Sequence, residues 1–240
     1  MLVVTLGTGA AGGPPDRARS CILIESSSSR IILDFGDGCS SRLQRIGLSL
    51  SDIDLIYISH THPDHYAGIF DAMVHDLKAT PHILADESIA LDVKSTLEAY
   101  LPRSFMERIK ITTTRNHLFV LKNVVIKTIP VSHSIPCYGA IVEVEGSRIV
   151  YSADTRYVEP LLYEAMRSDL TIVEATMPSS MSGEAIRTGH MSVSDIYRLS
   201  SLVEQPIIVT HVTSSSEREL LSANLPPRVI IAHDLTGFGV

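Results

Sequence analysis

His60-Thr61-His62-Pro63-Asp64-His65 puts four side chains able to bind metal into six positions, at the end of an apolar run. Residues 54–58 (DLIYI) read as a strand, bounded by Ser51-Asp52 before it and by the histidines after it. Side chains of an extended segment alternate, so His60 and His62 project to the same side. Two imidazoles on one side make half of a tetrahedral shell. Pro63 sets a turn into the next helix, where Asp64 and His65 can face a second ion. A solvated or core-satisfied histidine would explain one such residue, but not four in this register.

Further ligand types stand where other strands end. His133 follows the strand pattern of 120–129 in PVSHS. Asp154 follows residues 148–151 in YSADT, and His211 follows 206–210 in IIVTHV. Polar residues at strand ends suit a site on one edge of a sheet. Each taken alone is as readily a cap or a surface residue; together they complete two coordination shells. His190, in TGHMS before a helix starting near Ser192, is a candidate ligand or proton donor. His75, His82 and His117 lack such a context and are expected outside the site. His233, in IIAHD, also follows a strand and is a candidate supporting or substrate contact. Loops 8–16 and 178–189, rich in Gly, Pro and Ser, are expected to rim the site.

The rest of the chain alternates strands and helices. Strand patterns at 2–6, 21–25 and 30–34 surround a Gly/Pro loop at 7–16 and a polar turn at 26–29. A helix is expected at 39–46, closed by Gly47, and another at 87–100, where apolar spacing is near 3.6. Residues 140–144 and 148–151 form a hairpin about Gly146-Ser147. Short strands at 170–173 and 206–210 then alternate with helical patterns near 158–167, 192–203 and 214–223. This is an α/β (α+β) pattern, with hairpins early and alternation late. No repeat or linker divides the 240 residues, which are 45% hydrophobic and long enough to bury one core, so a single domain over 1–240 is expected.

Composition narrows the function classes. The formal net charge is −7, and no basic stripe of the kind that grips nucleic acid is visible. Bound divalent cations would add local positive charge that this count omits. Cys21, Cys39 and Cys137 are widely spaced without a CxxC pair, so buried free thiols in a reducing cytoplasm are expected. The N-terminus lacks a basic n-region, its apolar run breaks at glycine, and no stretch reaches the length of a membrane span. A soluble, cytoplasmic protein is expected.

These residues resemble the metallo-β-lactamase superfamily, whose HxHxDH signature HTHPDH matches in full. Within it the chain is similar to the branch of ribonuclease Z and the phosphonate-pathway cyclic phosphodiesterases. The likeness runs nearly the whole length: LGTGA, LDFGDG, GLSLSDIDLIYISH, YSADT, VEAT, GHMS and VTH. It implies a four-layer αββα sandwich with the site at one edge. Carried over, it implies that His60, His62 and His133 hold one metal, that Asp64, His65 and His211 hold the other, and that Asp154 bridges them. It also implies that His190 is a catalytic histidine, not a ligand, oriented by Glu174. In the expected mechanism Asp64 both ligates metal and orients the nucleophile. The long insertion common in ribonuclease Z between the positions of His133 and Asp154 is replaced here by a short hairpin. With the acidic balance, that makes tRNA an unexpected substrate.

The expected activity is metal-dependent hydrolysis of a small nucleotide-like or cyclic phosphate diester, through a hydroxide bridging two divalent ions. His/Asp shells suit Zn2+, and Mn2+ or Fe2+ also fit. The alternatives are a lactonase- or thioesterase-type carbonyl hydrolase, an RNA 3′-processing nuclease, and an inactive metal-binding scaffold. No membrane partner is expected, and a homodimer is compatible with base rates.

Overall fold

The computed structural model describes residues 1–114 and 116–240. Its chain builds two seven-stranded sheets in succession. The first half gives β1 (Leu2–Gly7), β2 (Cys21–Glu25), β3 (Arg30–Phe35), β4 (Leu55–Tyr57), β5 (His82–Ala85) and β6 (Lys110–Thr113). The second gives β7 (Leu118–Leu121), β8 (Val124–Pro130), β9 (Tyr138–Val144), β10 (Ser147–Tyr151), β11 (Leu170–Ala175), β12 (Ile207–Val212) and β13 (Val229–Ile231). β14 (Thr236–Gly239) returns to the first sheet beside β1.

Each half opens as an antiparallel meander and continues with parallel strands. β1, β2 and β3 are antiparallel, and β3 to β6 are parallel. β7 to β10 are antiparallel, and β10 to β13 are parallel. Parallel neighbours need crossovers, which is why helices enter where they do.

Period-two alternation within these strands explains the layers. Ile31 and Leu33 of β3, with Leu55 and Tyr57 of β4, face the second sheet and meet Val142 and Ile172. Ile32 and Ile56, between them in sequence, point outward against helices Cys39–Arg45, Gly68–His75 and Glu87–Tyr100. On the other sheet Ile208 points inward, while Ile207 and Val209 pack under helices Val193–Ser200 and Ser214–Ser222. The result is the αββα sandwich expected from the sequence. No described helix is long and apolar enough to cross a membrane.

The structure corrects several expectations. Residues 120–129 are not one strand: Lys122 takes a φ of 52° and turns β7 back into β8. Residues 178–189 are not a plain loop, for Ser179–Met181 is a 3-10 turn and Ser182–Thr188 an α-helix. Cys21 and Cys39 are joined in a disulfide rather than free, because the hairpin of β2 and β3 brings the start of helix Cys39–Arg45 beside β2, with Cα atoms 5.8 Å apart. Cys137 is the free, buried thiol.

Leu33 is completely buried between the sheets, whereas Leu91 is 62% exposed on helix Glu87–Tyr100. Leu33→Ala should therefore lower the unfolding free energy by about 2–5 kcal/mol in a urea titration. Leu91→Ala should change it by less than about 0.5 kcal/mol.

Candidate functional site

The C-terminal ends of strands from both sheets open on one side, and the sequence-predicted residues gather there. β4 ends at Tyr57 and delivers His60 three residues later. His62 caps helix Pro63–Tyr66, with proline at its first turn, and this single turn swings Asp64 and His65 around to the same centre. His133 follows β8, Asp154 follows β10, and Glu174 lies within β11.

His211 lies within β12 rather than beyond it. Glu174 pairs with Thr210 and Ala175 with Val212, so His211 is an extra residue, with a φ of 50°. Such a bulge re-aims a side chain that regular pairing would send to a sheet face. Asp34 is placed in the same way: Cys21 opposes Phe35 and Ile22 opposes Leu33, leaving Asp34 unpaired at a φ of 57°.

Two ligand sets result. His60, His62, His133 and Asp154 bring one donor atom each to within 4.8 Å of one another, as do Asp64, His65 and His211. His62 Nδ1 lies 3.2 Å from His60 Nε2 and 3.0 Å from His133 Nε2. His65 Nε2 and His211 Nε2 are 3.3 Å apart, with Asp64 Oδ2 3.3 Å from His211. Two donors bound at about 2.0–2.1 Å to one tetrahedral ion lie about 3.3–3.4 Å apart. The observed spacings match.

The hydrogen bonds behind the rings point the same way. His133 Nδ1 donates to the Gly189 carbonyl at 2.8 Å, and His65 Nδ1 donates to the Asp34 carboxylate at 2.7 Å. The Thr176 hydroxyl donates to Glu174 at 2.6 Å and accepts from His211 Nδ1 at 2.8 Å. With each Nδ1 occupied as a donor, the lone pair on Nε2 is left facing the centre. Asp154 Oδ2 lies 3.2 Å from His65, 3.5 Å from His211 and 3.7 Å from His60, and its buried Oδ1 has no hydrogen-bond partner among the described residues. Lone pairs and carboxylates converging on one buried point fit divalent cations.

Electrostatics without metal reflect the same arrangement. Burial pushes His60 well below its ordinary pKa, aided by the neighbouring His65. Burial opposes charge on His65 too, but Asp154 and Asp34 on either side outweigh it and hold that imidazole well above its ordinary value. Burial works against ionising Asp154, yet His211 and His65 keep its carboxyl well below the usual range. Protons on imidazoles thus partly balance the carboxylates in the place of cations.

His190 sits beside both sets. Its Nδ1 lies 3.0 Å from Glu174 Oε1, and its ring stacks on His211 with centroids 5.8 Å apart. Burial opposes its charge, but Glu174 lifts its pKa to about 9. It also lies in a third cluster with Asp154 and His211. Gly189 permits this approach: it caps helix Ser182–Thr188 at a φ of 79°, and a Cβ there would lie 2.6 Å from His133 Cα.

The cavity over the site measures about 410 Å³. Its walls include Ala10, Ala11, Pro63, Met177 and Thr213 beside the ligands, and no lysine or arginine is among its described lining residues. Of the two loops expected to rim it, 8–16 contributes Ala10 and Ala11, and the Ala11 amide donates to Asp64 Oδ2 at 2.9 Å. The 178–189 segment does not line it.

His233 lies away from the cavity. Its Nδ1 is 3.0 Å from Arg17, which also bonds Thr8, the Ala232 carbonyl and Glu217. Asp234 beside it accepts from Thr8, Ala18 and Arg42, so this pair anchors the loop after β1. His75 pairs with Asp71, His82 with Thr112 and His117 with Thr128, all outside the site.

Sequence reasoning missed Asp34, Ser59 and Thr176, which touch ligands from behind. The available signal was an aspartate inside the apolar strand IILDF, since a carboxylate there must find buried donors.

Comparison with known proteins agrees with this architecture. A family model described as "Anti-Pycsar protein Apyc1" matches residues 1–225. Ribonuclease Z of Ignicoccus hospitalis is 27% identical over 246 residues, covering 80% of this chain and 81% of that protein. YhfI of Bacillus subtilis, a metallo-β-lactamase fold protein, superposes with a TM-score of 0.84 at 18% identity over 99% of both chains. A diphosphatase of the PhnP family gives 0.81 at 16% identity, over 99% of this chain and 96% of that one. The fold is that of the metallo-β-lactamases.

Asp154 faces donors from both sets, so Asp154→Ala should abolish stable metal uptake, measured by elemental analysis after dialysis. A variant retaining two full equivalents would remove Asp154 from the ligand sets.

Proposed function

This chain belongs to the family of the Anti-Pycsar protein Apyc1, and from that premise we propose that it is a two-metal phosphodiesterase acting on a small nucleotide-like or cyclic phosphate diester. The observation that carries this reading is His190 held on Glu174 at 3.0 Å in the same cavity as two metal-ligand sets. An acid so placed can protonate the alkoxide that a phosphate diester expels, and as a cation it can meet the negative charge of a phosphoryl transition state.

His60, His62 and His133 would hold one ion, Asp64, His65 and His211 the other, and Asp154 would serve both. Bound there, divalent ions would supply Lewis acidity for activating a water and offsetting the charge of a phosphate. Zinc suits these donors, and manganese or iron also fit. No lysine or arginine is among the described lining residues, so beside the His190 imidazolium the cavity would depend on those ions to attract a phosphate.

The chain's own groups do the rest. Asp64, one lone pair tied by the Ala11 amide, orients the attacking water. Glu174 accepts a hydrogen bond from His190 Nδ1–H and aligns the ring. As imidazolium, His190 stabilises charge gathering on the phosphate or gives its proton to the leaving oxygen. A cavity of about 410 Å³ suits a small ester, being near the lower end of ligand pockets.

A second reading is RNA 3′ processing, favoured by the curated relatives named ribonuclease Z. Against it stands the interval from His133 to Asp154, which holds only the hairpin of β9 and β10. Precursor tRNA, nucleotide cyclic phosphates, lactones and thioesters assayed side by side separate these readings. Turnover confined to small phosphodiesters and abolished by chelation is expected; cleavage of precursor tRNA, or of lactones alone, would replace the proposal.

His190→Ala should keep the wild-type metal content and lose ~100-fold or more of its turnover of bis(p-nitrophenyl) phosphate. Loss of metal in that variant would make His190 a ligand instead.

A further inference from the structure

Two tyrosine hydroxyls cross from one sheet to the other inside the sandwich. Tyr57, on β4, donates to the carbonyls of Tyr138 at 2.8 Å and Gly139 at 3.2 Å, on β9. Tyr151, the last residue of β10, donates to Asp34 Oδ2 at 2.7 Å. Both phenols are buried, which raises their pKa and keeps them neutral donors. They look alike as structural ties, but only one ends on the ligand shell.

Asp34 is completely buried, and no lysine or arginine is among its described hydrogen-bond partners. Four donors carry its charge: the Ser59 amide on Oδ1, and the Ser59 hydroxyl, His65 Nδ1 and Tyr151 hydroxyl on Oδ2, each at 2.7 Å. The Ser59 hydroxyl, whose O–H donates to Asp34, accepts from His60 Nδ1 at 3.0 Å. One carboxylate thus steers His65 directly and His60 through Ser59, and these imidazoles belong to different ligand sets.

Three of the four donors belong to residues 59–65, the loop and helical turn after β4 that carry the histidines, and would move with them. Tyr151 alone fixes the carboxylate from the opposite sheet. We propose that Tyr151 is a positioning residue: it holds Asp34 so that His65, and through Ser59 His60, present Nε2 to the metal centre. This rests on the reading that the two ligand sets hold metal ions. Without the phenol, Asp34 keeps three donors and remains satisfied, so the fold persists while the carboxylate gains freedom to turn. Partners of this kind typically alter metal affinity 10–100-fold when removed.

The test compares Tyr151→Phe with Tyr57→Phe, each of which deletes one buried hydroxyl that ties the sheets. Metal-free proteins are titrated with Co2+ and followed by visible absorption, with urea unfolding of the metal-free forms measured alongside. The expected result is a loss of about tenfold or more in Co2+ affinity and altered d–d bands for Tyr151→Phe. Tyr57→Phe should bind as the wild type does, although both variants shift the urea midpoint similarly. Wild-type affinity and spectrum in Tyr151→Phe, or equal weakening in Tyr57→Phe, would overturn the proposal while leaving the metal reading intact. A wild type that takes up no Co2+ would overturn both.

Discussion

Asp154 Oδ2 lies within 3.7 Å of three imidazole nitrogens, from His60, His65 and His211, and its other oxygen has no hydrogen-bond partner among the described residues. A buried carboxylate among converging lone pairs is costly unless positive charge is supplied. No arginine or lysine is described in the cavity lining, so protons or metal ions must provide it. Much of the local structure answers this constraint. Gly189 admits His190 beside His133, bulges turn Asp34 and His211 inward, and Thr176 and Asp34 occupy the outer nitrogens of the rings.

The molecule's frame keeps these parts in register. Each sheet is buried on both faces, so a slip of one residue would send an inward side chain outward. The non-glycine residues with positive φ include Asp34, Ala153 and His211, all next to the centre. Backbone strain of this sort persists where surrounding packing over-determines it. The Arg17 and Asp234 clusters secure the loop whose Ala11 amide reaches Asp64, so the C-terminal crossing also supports the site.

How much was legible in the chain depended on how local each signal was. HTHPDH announced its chemistry because the ligands lie within one turn of each other. His133, Asp154 and His211 were found because strand ends are visible as breaks in apolar runs. His211 was nonetheless placed beyond its strand, since a bulge is a pairing event between distant segments. Asp34, Ser59 and Thr176 escaped because their partners are up to 117 residues away. The turn at Lys122 was hidden inside an unbroken apolar pattern, and β5 and β6, at four residues each, were too short to show a period. The Cys21–Cys39 pairing likewise depends on a hairpin that spacing alone does not reveal.

The succession of the two sheets along the chain has a consequence for assembly. The segment up to His65 carries Asp34 and four ligand side chains; His133, Asp154 and His211 come entirely from the later half. Neither half owns a complete candidate shell, so high-affinity capture of a metal would require the sheets to be docked. Ions that bind only the docked form stabilise it by mass action, increasingly as their concentration exceeds the dissociation constant. Occupancy would then act as a rivet across the sandwich, and the supply of metal would govern how long the folded chain survives as well as whether it turns over substrate.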